Sequence, residues 1–277
     1  MKTIVLLLIF SFVRASDAEA QSLRIATYNL NWGNRRGDLV IDAIDTADAD
    51  IVCFQETTPQ SEQFLKRHLA ARYPHFHASG YNGRYAAERF AFASNIKLDA
   101  VTFHRPEHGL FGFYAATFEY AGDNVRIVNV HLEPFYMERG GGIAAAMAAL
   151  SRTEEVHSKE IAVITSAIDT SQPTIVVGDF NSPSQFNAPK RLRKIGMVDS
   201  FASVNADAET HPTWQWPTKP LPLALRIDYI FCTPHFRTVE SKVVRREGSD
   251  HYLVVSELTR SEPAVEGEQQ IGSEPKP

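Results

Sequence analysis

The run Thr174-Ile-Val-Val-Gly-Asp179-Phe-Asn181 carries a β-branched strand into a glycine, then an acid and an amide two residues apart. Successive side chains of an extended backbone alternate, so this spacing puts Asp179 and Asn181 on one face and Phe180 on the other. A strand ending in paired polar groups marks either a polar turn out of the core or the rim of a working site. Four more apolar strands carry such groups at one end. Leu23-Arg-Ile-Ala-Thr-Tyr-Asn29-Leu-Asn31 ends in two amides, Asp50-Ile-Val-Cys-Phe-Gln55-Glu56 in a carboxylate, and Val125-Arg-Ile-Val-Asn-Val-His131 in an imidazole. Gly248-Ser-Asp250-His251 opens the strand Tyr252-Leu-Val-Val-Ser-Glu-Leu258. Five termini with the groups that phosphate and metal chemistry uses point to one shared site.

Around these strands the helical signals are few and clear. Leu39, Val40, Ala43, Ile44 and Ala47 recur at helical spacing within Asp38 to Asp48. Thr58-Pro59 reads as a cap followed by proline at the first helical position, with the helix running to about Arg72. From His75 to His131 the pattern is β-rich, with runs at Phe76–Ser79, Arg89–Ser94, Asp99–Phe103, Phe111–Tyr120 and Val125–His131. An alanine-rich helix is expected over Ile143 to Ile168, a strand over Thr174–Gly178 and a short basic helix over Lys190–Lys194. Three strands near 225–232, 237–245 and 252–259 close the domain. With helices at corresponding places in two halves, the arrangement that covers every apolar face is two sheets packed together with helices outside.

The first 20 residues read as an export signal: Lys2, an apolar stretch from Ile4 to Val13, and Ala18-Glu19-Ala20 before Gln21. The apolar stretch falls short of the roughly 20 residues that a membrane-spanning helix needs. The expectation is a secreted or periplasmic protein cleaved after Ala20. Residues 21–260 form one domain, and 261–277, rich in Pro, Gly, Gln and Glu, form a disordered tail. Of the net charge of −5, the tail carries −3 and the first 20 residues none, which leaves −2 for the domain. That balance neither selects nor excludes a polyanionic substrate. Cys53 and Cys232 sit in apolar strand patterns as small hydrophobes, and whether they pair is open.

Six ordered segments resemble the endonuclease/exonuclease/phosphatase superfamily, whose fold is similar to that of pancreatic deoxyribonuclease. They are Thr27-Tyr28-Asn29, Gln55-Glu56, Val130-His131, Gly178-Asp179-Phe180-Asn181, Arg226-Ile227-Asp228-Tyr229-Ile230 and Ser249-Asp250-His251. The resemblance spans residues 22–260. It implies an α/β (α+β) fold, a four-layer α/β/β/α sandwich of two mixed, mainly antiparallel sheets with helices outside. Asn82-Gly-Arg-Tyr-Ala-Ala-Glu88-Arg89-Phe90 looks like the deoxyribonuclease-type motif in which a glutamate holds the histidine matching His131.

Phosphodiester hydrolysis needs an aimed water, charge stabilisation on the phosphoryl oxygens and a proton for the departing alkoxide. The resemblance implies a Mg²⁺ site, with Mn²⁺ as a substitute and Ca²⁺ as a structural or co-activating ion. Glu56 is the expected ligand, with Asn29 assisting and Asp250 contributing, since a hard cation prefers oxygen. His251 is the expected base, fixed by Asp228, and His131 the expected acid, held by Glu88. Asp179 orients the nucleophile and Asn181 donates to a phosphate oxygen. Asn31, Arg35 and Trp214 are expected substrate contacts.

The expected function is a monomeric DNA endonuclease without membrane insertion. A phosphatase or a phospholipid or sugar-phosphate phosphodiesterase of the same fold is the alternative. Where the mammalian deoxyribonuclease that the chain resembles carries arginines, two residues after the first-motif asparagine and two after the motif glutamate, this chain has Asn31 and Thr58.

Overall fold

Alternation along the strands sorts the chain into layers. A computed structural model describes residues 22–80, 83, 86–136, 142–216 and 223–261, so the expected signal segment and nearly all of the tail lie outside the described residues. The first half holds β1 (Leu23–Asn29), α1 (Gly37–Ala47), β2 (Ile51–Gln55), α2 (Pro59–Leu69), β3 (His75–Ala78), β4 (Phe90–Ser94), β5 (Asp99–His104), β6 (Phe113–Tyr120) and β7 (Asp123–His131). Next come α3 (Ile143–Ser166), β8 (Thr174–Asp179), α4 (Asn187–Lys194), β9 (Val198–Asp199) and α5 (Ser200–Val204). The strands β10 (Trp214–Trp216), β11 (Leu223–Leu225), β12 (Asp228–Cys232), β13 (Phe236–Val244) and β14 (Leu253–Arg260) complete the order.

One sheet runs β13-β14-β1-β2-β4-β3 and the other β5-β6-β7-β8-β12-β9, while β10 and β11 form a separate hairpin. Only β1–β2 and β7–β8 are parallel among the described pairs. Each needs a crossover, supplied by α1 and α3 respectively. Inward residues such as Ile25, Cys53, Phe92, Ile127, Val177 and Ile230 form the core between the sheets. Their neighbours point outward: Val52 and Phe54 pack on Ile44 and Leu65, and Val128 and Val176 share a cluster with Ile161 and Leu192. This is the expected helix–sheet–sheet–helix sandwich.

Local signals account for most boundaries. Thr58 caps α2 through its side chain, and Ser61 returns the bond in a capping box, with Pro59 at the helix start. That helix stops at Leu69, short of the expected Arg72. The strand expected over 225–232 divides in two. Leu225 pairs with Trp214 in the hairpin, whereas Asp228 to Cys232 pair with β8. The short elements β9 and α5 carry too few residues for a periodic signal. Cys53 and Cys232 both lie in the core between the sheets as free thiols, and burial pushes Cys232 up to about 12.

The inward column changes character toward one edge. Above the apolar residues lies an uncharged polar layer, in which Gln55 Nε2 donates to Thr27 Oγ1 (3.0 Å) and to Asn129 Oδ1 (2.6 Å). Asn129 Nδ2 in turn donates across the sheets to the Phe54 carbonyl (3.0 Å). Two residues further along each strand stand Asn29 and His131, with Glu56 directly after Gln55.

Two backbone features hold this edge. Gly178, with φ +140°, runs so close to β7 that a Cβ there would lie 1.9 Å from the Val130 carbonyl oxygen. The segment after β7 is tied to α3: His157 Nε2 bonds the Glu133 carbonyl (2.7 Å), and the Glu133 N–H reaches both oxygens of buried Glu160 (3.1 and 3.2 Å). Burial foremost, with help from Glu133, pushes the Glu160 carboxyl up to about 8 despite that N–H.

Gly178→Ala is expected to cost at least about 3 kcal/mol, because backbone must move to admit the methyl; a urea midpoint within error of wild type would contradict the close approach. Glu160 binds its proton more tightly folded than unfolded. Its contribution is therefore complete below its ordinary value of 4.5 and is lost as pH rises through about 8. Melting temperatures of wild type and Glu160→Gln should diverge between those limits, the variant losing less stability as pH rises. Parallel curves would remove Glu160 from the account.

Candidate functional site

Strand register brings the polar termini together. Asp179 is flanked in its sheet by His131 on β7 and by Asp228 on β12, each directly opposite it. From the facing sheet, Asn29 Nδ2 donates to Asp179 Oδ2 (2.9 Å) and to Glu56 Oε1 (3.2 Å). His131 Nε2 and His251 Nε2 each lie 3.6 Å from the same Asp179 Oδ2. His131 Nε2 is also 3.7 Å from Glu56 Oε1. Five segments, from Asn29 to His251, thus meet around one carboxylate.

The chain leaves β1 and β8 by the same device. Asn29 Oδ1 accepts the Asn31 N–H (2.9 Å), and Asp179 Oδ1 accepts the Asn181 N–H (2.8 Å). Asn31 and Asn181 then take left-handed backbone, φ +55° and +47°. The expectation that Asp179 and Asn181 share one face of an extended strand is corrected here, because Asn181 has already turned, as Asn31 has after Asn29. Asn181 Nδ2 is directed to the Leu132 carbonyl (2.9 Å), and Asn31 Nδ2 to Asp250 Oδ1 (2.9 Å). Glu56 also has positive φ, +55°, uncommon for a side chain of its size and typical of functional positions. Its Oε2 accepts the Trp32 N–H (3.0 Å).

Asp228 accepts from His251 Nδ1 with both oxygens, at 2.9 and 3.1 Å. Thr213 holds that strand start, its hydroxyl accepting the N–H groups of Ile227 and Asp228 at 3.0 Å each. Ser249 Oγ accepts the His251 N–H (3.2 Å) and donates to the Asn29 carbonyl (2.9 Å), joining β1 to the start of β14. Asp250 is oriented by Asn31 and by Trp214 Nε1 on its Oδ2 (3.2 Å). Phe111 stacks on His131 with ring centroids 3.8 Å apart. Thr213, Ser249 and Phe111 support site residues yet stand outside the sequence assignment. Only Ser249 had a signal, its place beside Asp250.

Charge states follow from this packing. Burial lowers His251, but Asp228, Asp179 and Asp250 outweigh it and hold the imidazole well above its ordinary value. Burial foremost, and then the charge on His251, lower His131 to about 3 against an opposing effect of the Ala87 backbone. Burial raises Asp179, with Asp228 adding to it, while His251, Asn181 and Asn29 act in the other direction. Glu56 is raised by burial against the Trp32 N–H, His251 and Asn29. His251 is therefore the cation of the site and His131 is neutral, the reverse of what a resting base and acid require.

Glu88 is buried immediately before β4, but it makes neither a hydrogen bond nor an ion pair with His131. His131 Nδ1 has no hydrogen-bond partner among the described residues. The expected Glu88–His131 pair is corrected accordingly: the short turn carrying Glu88 brings the Ala87 backbone, not the carboxylate, into play at the ring.

The remaining donors suit a hard divalent cation. Glu56, Asp179 and Asp250 line one groove with Asn31, and no Lys or Arg lines it among the described residues. Oxygen donors, a surplus of negative charge and raised carboxyls together fit such an ion. Glu56 is the best-placed ligand, since Asp250 already serves Asn31 and Trp214 and Asn29 turns its Nδ2 to Glu56 while its Oδ1 accepts the Asn31 N–H. Asp179, Asp228 and His251 also offer ligand atoms within 4.8 Å of one another. There the imidazole lies between the carboxylates, one nitrogen toward each, so a single ion cannot engage both ring nitrogens. Arg35 stands apart from this cluster, lining an adjoining cleft with Arg67.

Among curated proteins no match was found. Solved structures do match. Humanized D. rerio TDP2 carrying 14 mutations is 17% identical over 86% of this chain and 99% of its own, with a TM-score of 0.66. D. rerio TDP2 complexed with single-strand DNA product is 16% identical over the same shares, TM-score 0.65. An endonuclease/exonuclease/phosphatase from Beutenbergia cavernae DSM 12333 is 21% identical over 87% of this chain and 72% of its own, TM-score 0.65. These likenesses establish the fold alone. The model of the Endonuclease/Exonuclease/phosphatase family matches residues 26–251, a span that takes in the strand termini gathered at this rim. The chain belongs to that family and is a hydrolase of phosphoester bonds.

Proposed function

We propose that the chain is an exported, Mg²⁺-dependent phosphodiesterase. The observation carrying this reading is the convergence on Asp179 Oδ2 of two imidazole nitrogens at 3.6 Å and an amide donor at 2.9 Å, with Glu56 one hydrogen bond away. Glu56, assisted by Asn29, would hold a divalent cation, which would supply charge stabilisation to the phosphoryl oxygens. Asp179, with its raised carboxyl, accepts from the attacking water. His251, charged and fixed by Asp228, donates to a phosphoryl oxygen or to the departing alkoxide. His131 is neutral and orients the water from the other side of Asp179.

Nucleic acid as the substrate is supported by the neighbour bound to single-strand DNA product and by Arg35 and Arg67 in the cleft beside the groove. Export is supported by the first 20 residues, and a mature chain beginning at Gln21 in a periplasmic or culture fraction checks it. Retention of those residues would count against it.

Hydrolysis of bis(p-nitrophenyl) phosphate should require Mg²⁺, stop on addition of EDTA and return with excess metal. Glu56→Gln and His251→Ala should each lower kcat/KM by about 10²- to 10⁴-fold. Activity indifferent to chelation, or to both substitutions, would overturn the reading. Asp228→Asn removes a charge that raises His251, so the ring's midpoint should fall when followed by NMR. An unmoved midpoint would show that Asp228 does not set it.

A further inference from the structure

Asp228 and His251 form one working pair, yet they belong to different sheets. Asp228 opens β12, whereas His251 stands just before β14 of the facing sheet. Strand pairing therefore does not set carboxylate against ring. Residues 213–215 do. The Thr213 hydroxyl holds the N–H groups of Ile227 and Asp228, and the Thr213 carbonyl accepts the Tyr252 N–H (2.6 Å). Two residues on, the Gln215 N–H donates to the Asp250 carbonyl (3.0 Å). These two backbone bonds flank His251, which faces Trp214 in an isolated antiparallel bridge. Three consecutive residues thus hold both members of the pair. They are fixed in turn to β11, the Thr213 N–H donating to the Leu225 carbonyl (2.9 Å).

The side chain in the middle of this segment completes the grip. Trp214 Nε1 donates to Asp250 Oδ2 (3.2 Å), while Asn31 Nδ2 donates to Oδ1 (2.9 Å). The indole lies beside the imidazole, with ring centroids 6.4 Å apart and planes at 50°. A carboxylate with a donor on each oxygen keeps one orientation. Without the indole donor, Asp250 can turn about its side-chain bonds and becomes a rival partner for the neighbouring His251 ring. The contact of that ring with Asp179 Oδ2, at 3.6 Å, is longer than a hydrogen bond and is readily displaced.

We propose that Trp214 is a positioning residue for the hydrolysis, acting through Asp250 to keep the His251 ring aimed between Asp228 and Asp179. This rests on the phosphodiesterase reading above and adds to it the residue that aligns its histidine. The role differs from the substrate contact expected of Trp214. A stacking surface needs only an aromatic ring, so phenylalanine would serve, and loss of the ring would show in KM. A positioning residue of this kind needs the indole N–H, so phenylalanine fails and the loss falls on kcat.

Hydrolysis of bis(p-nitrophenyl) phosphate with Mg²⁺ by wild type, Trp214→Phe, Asp250→Ala and the double variant tests this, together with the indole N–H resonances of the three tryptophans. Trp214→Phe should lower kcat by about 10- to 100-fold and leave KM within about twofold. In the Asp250→Ala background the same substitution should change kcat by less than about twofold, because the group it acts through is already gone. Asp250→Ala should also move the Trp214 resonance, identified by its absence from the Trp214→Phe spectrum, more than the other two. The split between kcat and KM in Trp214→Phe decides the matter even where the alanine variant is too unstable to assay. A raised KM with kcat unchanged, an effect of equal size in both backgrounds, or an indole signal indifferent to Asp250 overturns the positioning role and leaves the phosphodiesterase. Wild type that hydrolyses no phosphodiester with metal overturns both.

Discussion

A hydrogen bond of 2.6 Å between Gln55 and Asn129, made across the two sheets, underlies the arrangement of the site. It belongs to the uncharged layer that separates apolar core from buried ions. Charge placed directly on the apolar column would face hydrocarbon below, at a desolvation cost of several kcal/mol per ion. With this layer in between, Asn29 and His131 stand above Thr27 and Asn129 rather than directly on hydrocarbon. The same layer fixes the sheets against each other where Asn29 must reach Asp179 from the opposite side.

Above that layer the electrostatics are close to self-contained. Asp228, His251 and Asp179 form a chain of alternating charge, and the positive middle member suppresses protonation of His131. The two histidines are thereby driven into opposite charge states by their packing. Such splitting of like groups is how a buried site obtains donor and acceptor functions at one pH. What is left over is negative charge on Glu56 and Asp250, the part of the balance that a divalent ion would complete.

Much of this was readable from residue order. Strand patterns placed Asn29, Glu56, His131, Asp179 and His251 at strand ends, the family resemblance added Asp228, and the helices α1 and α2 were marked by spacing and by the Thr58-Pro59 cap. The sandwich followed from the need to cover both faces of each sheet. The misses have physical causes. Asn31, Glu56 and Asn181 adopt left-handed backbone, which periodicity cannot anticipate. Glu88 is carried by a turn whose orientation depends on tertiary packing.

The two free thiols in the core between the sheets carry a separate consequence. Both are buried, and burial holds both in the unreactive protonated form at neutral pH. They are reachable only when the sheets part, so their rate of alkylation is a clock for whole-domain opening that needs no introduced label. In an oxidising compartment the same enclosure protects them from becoming mismatched crosslinks, provided folding outpaces oxidation.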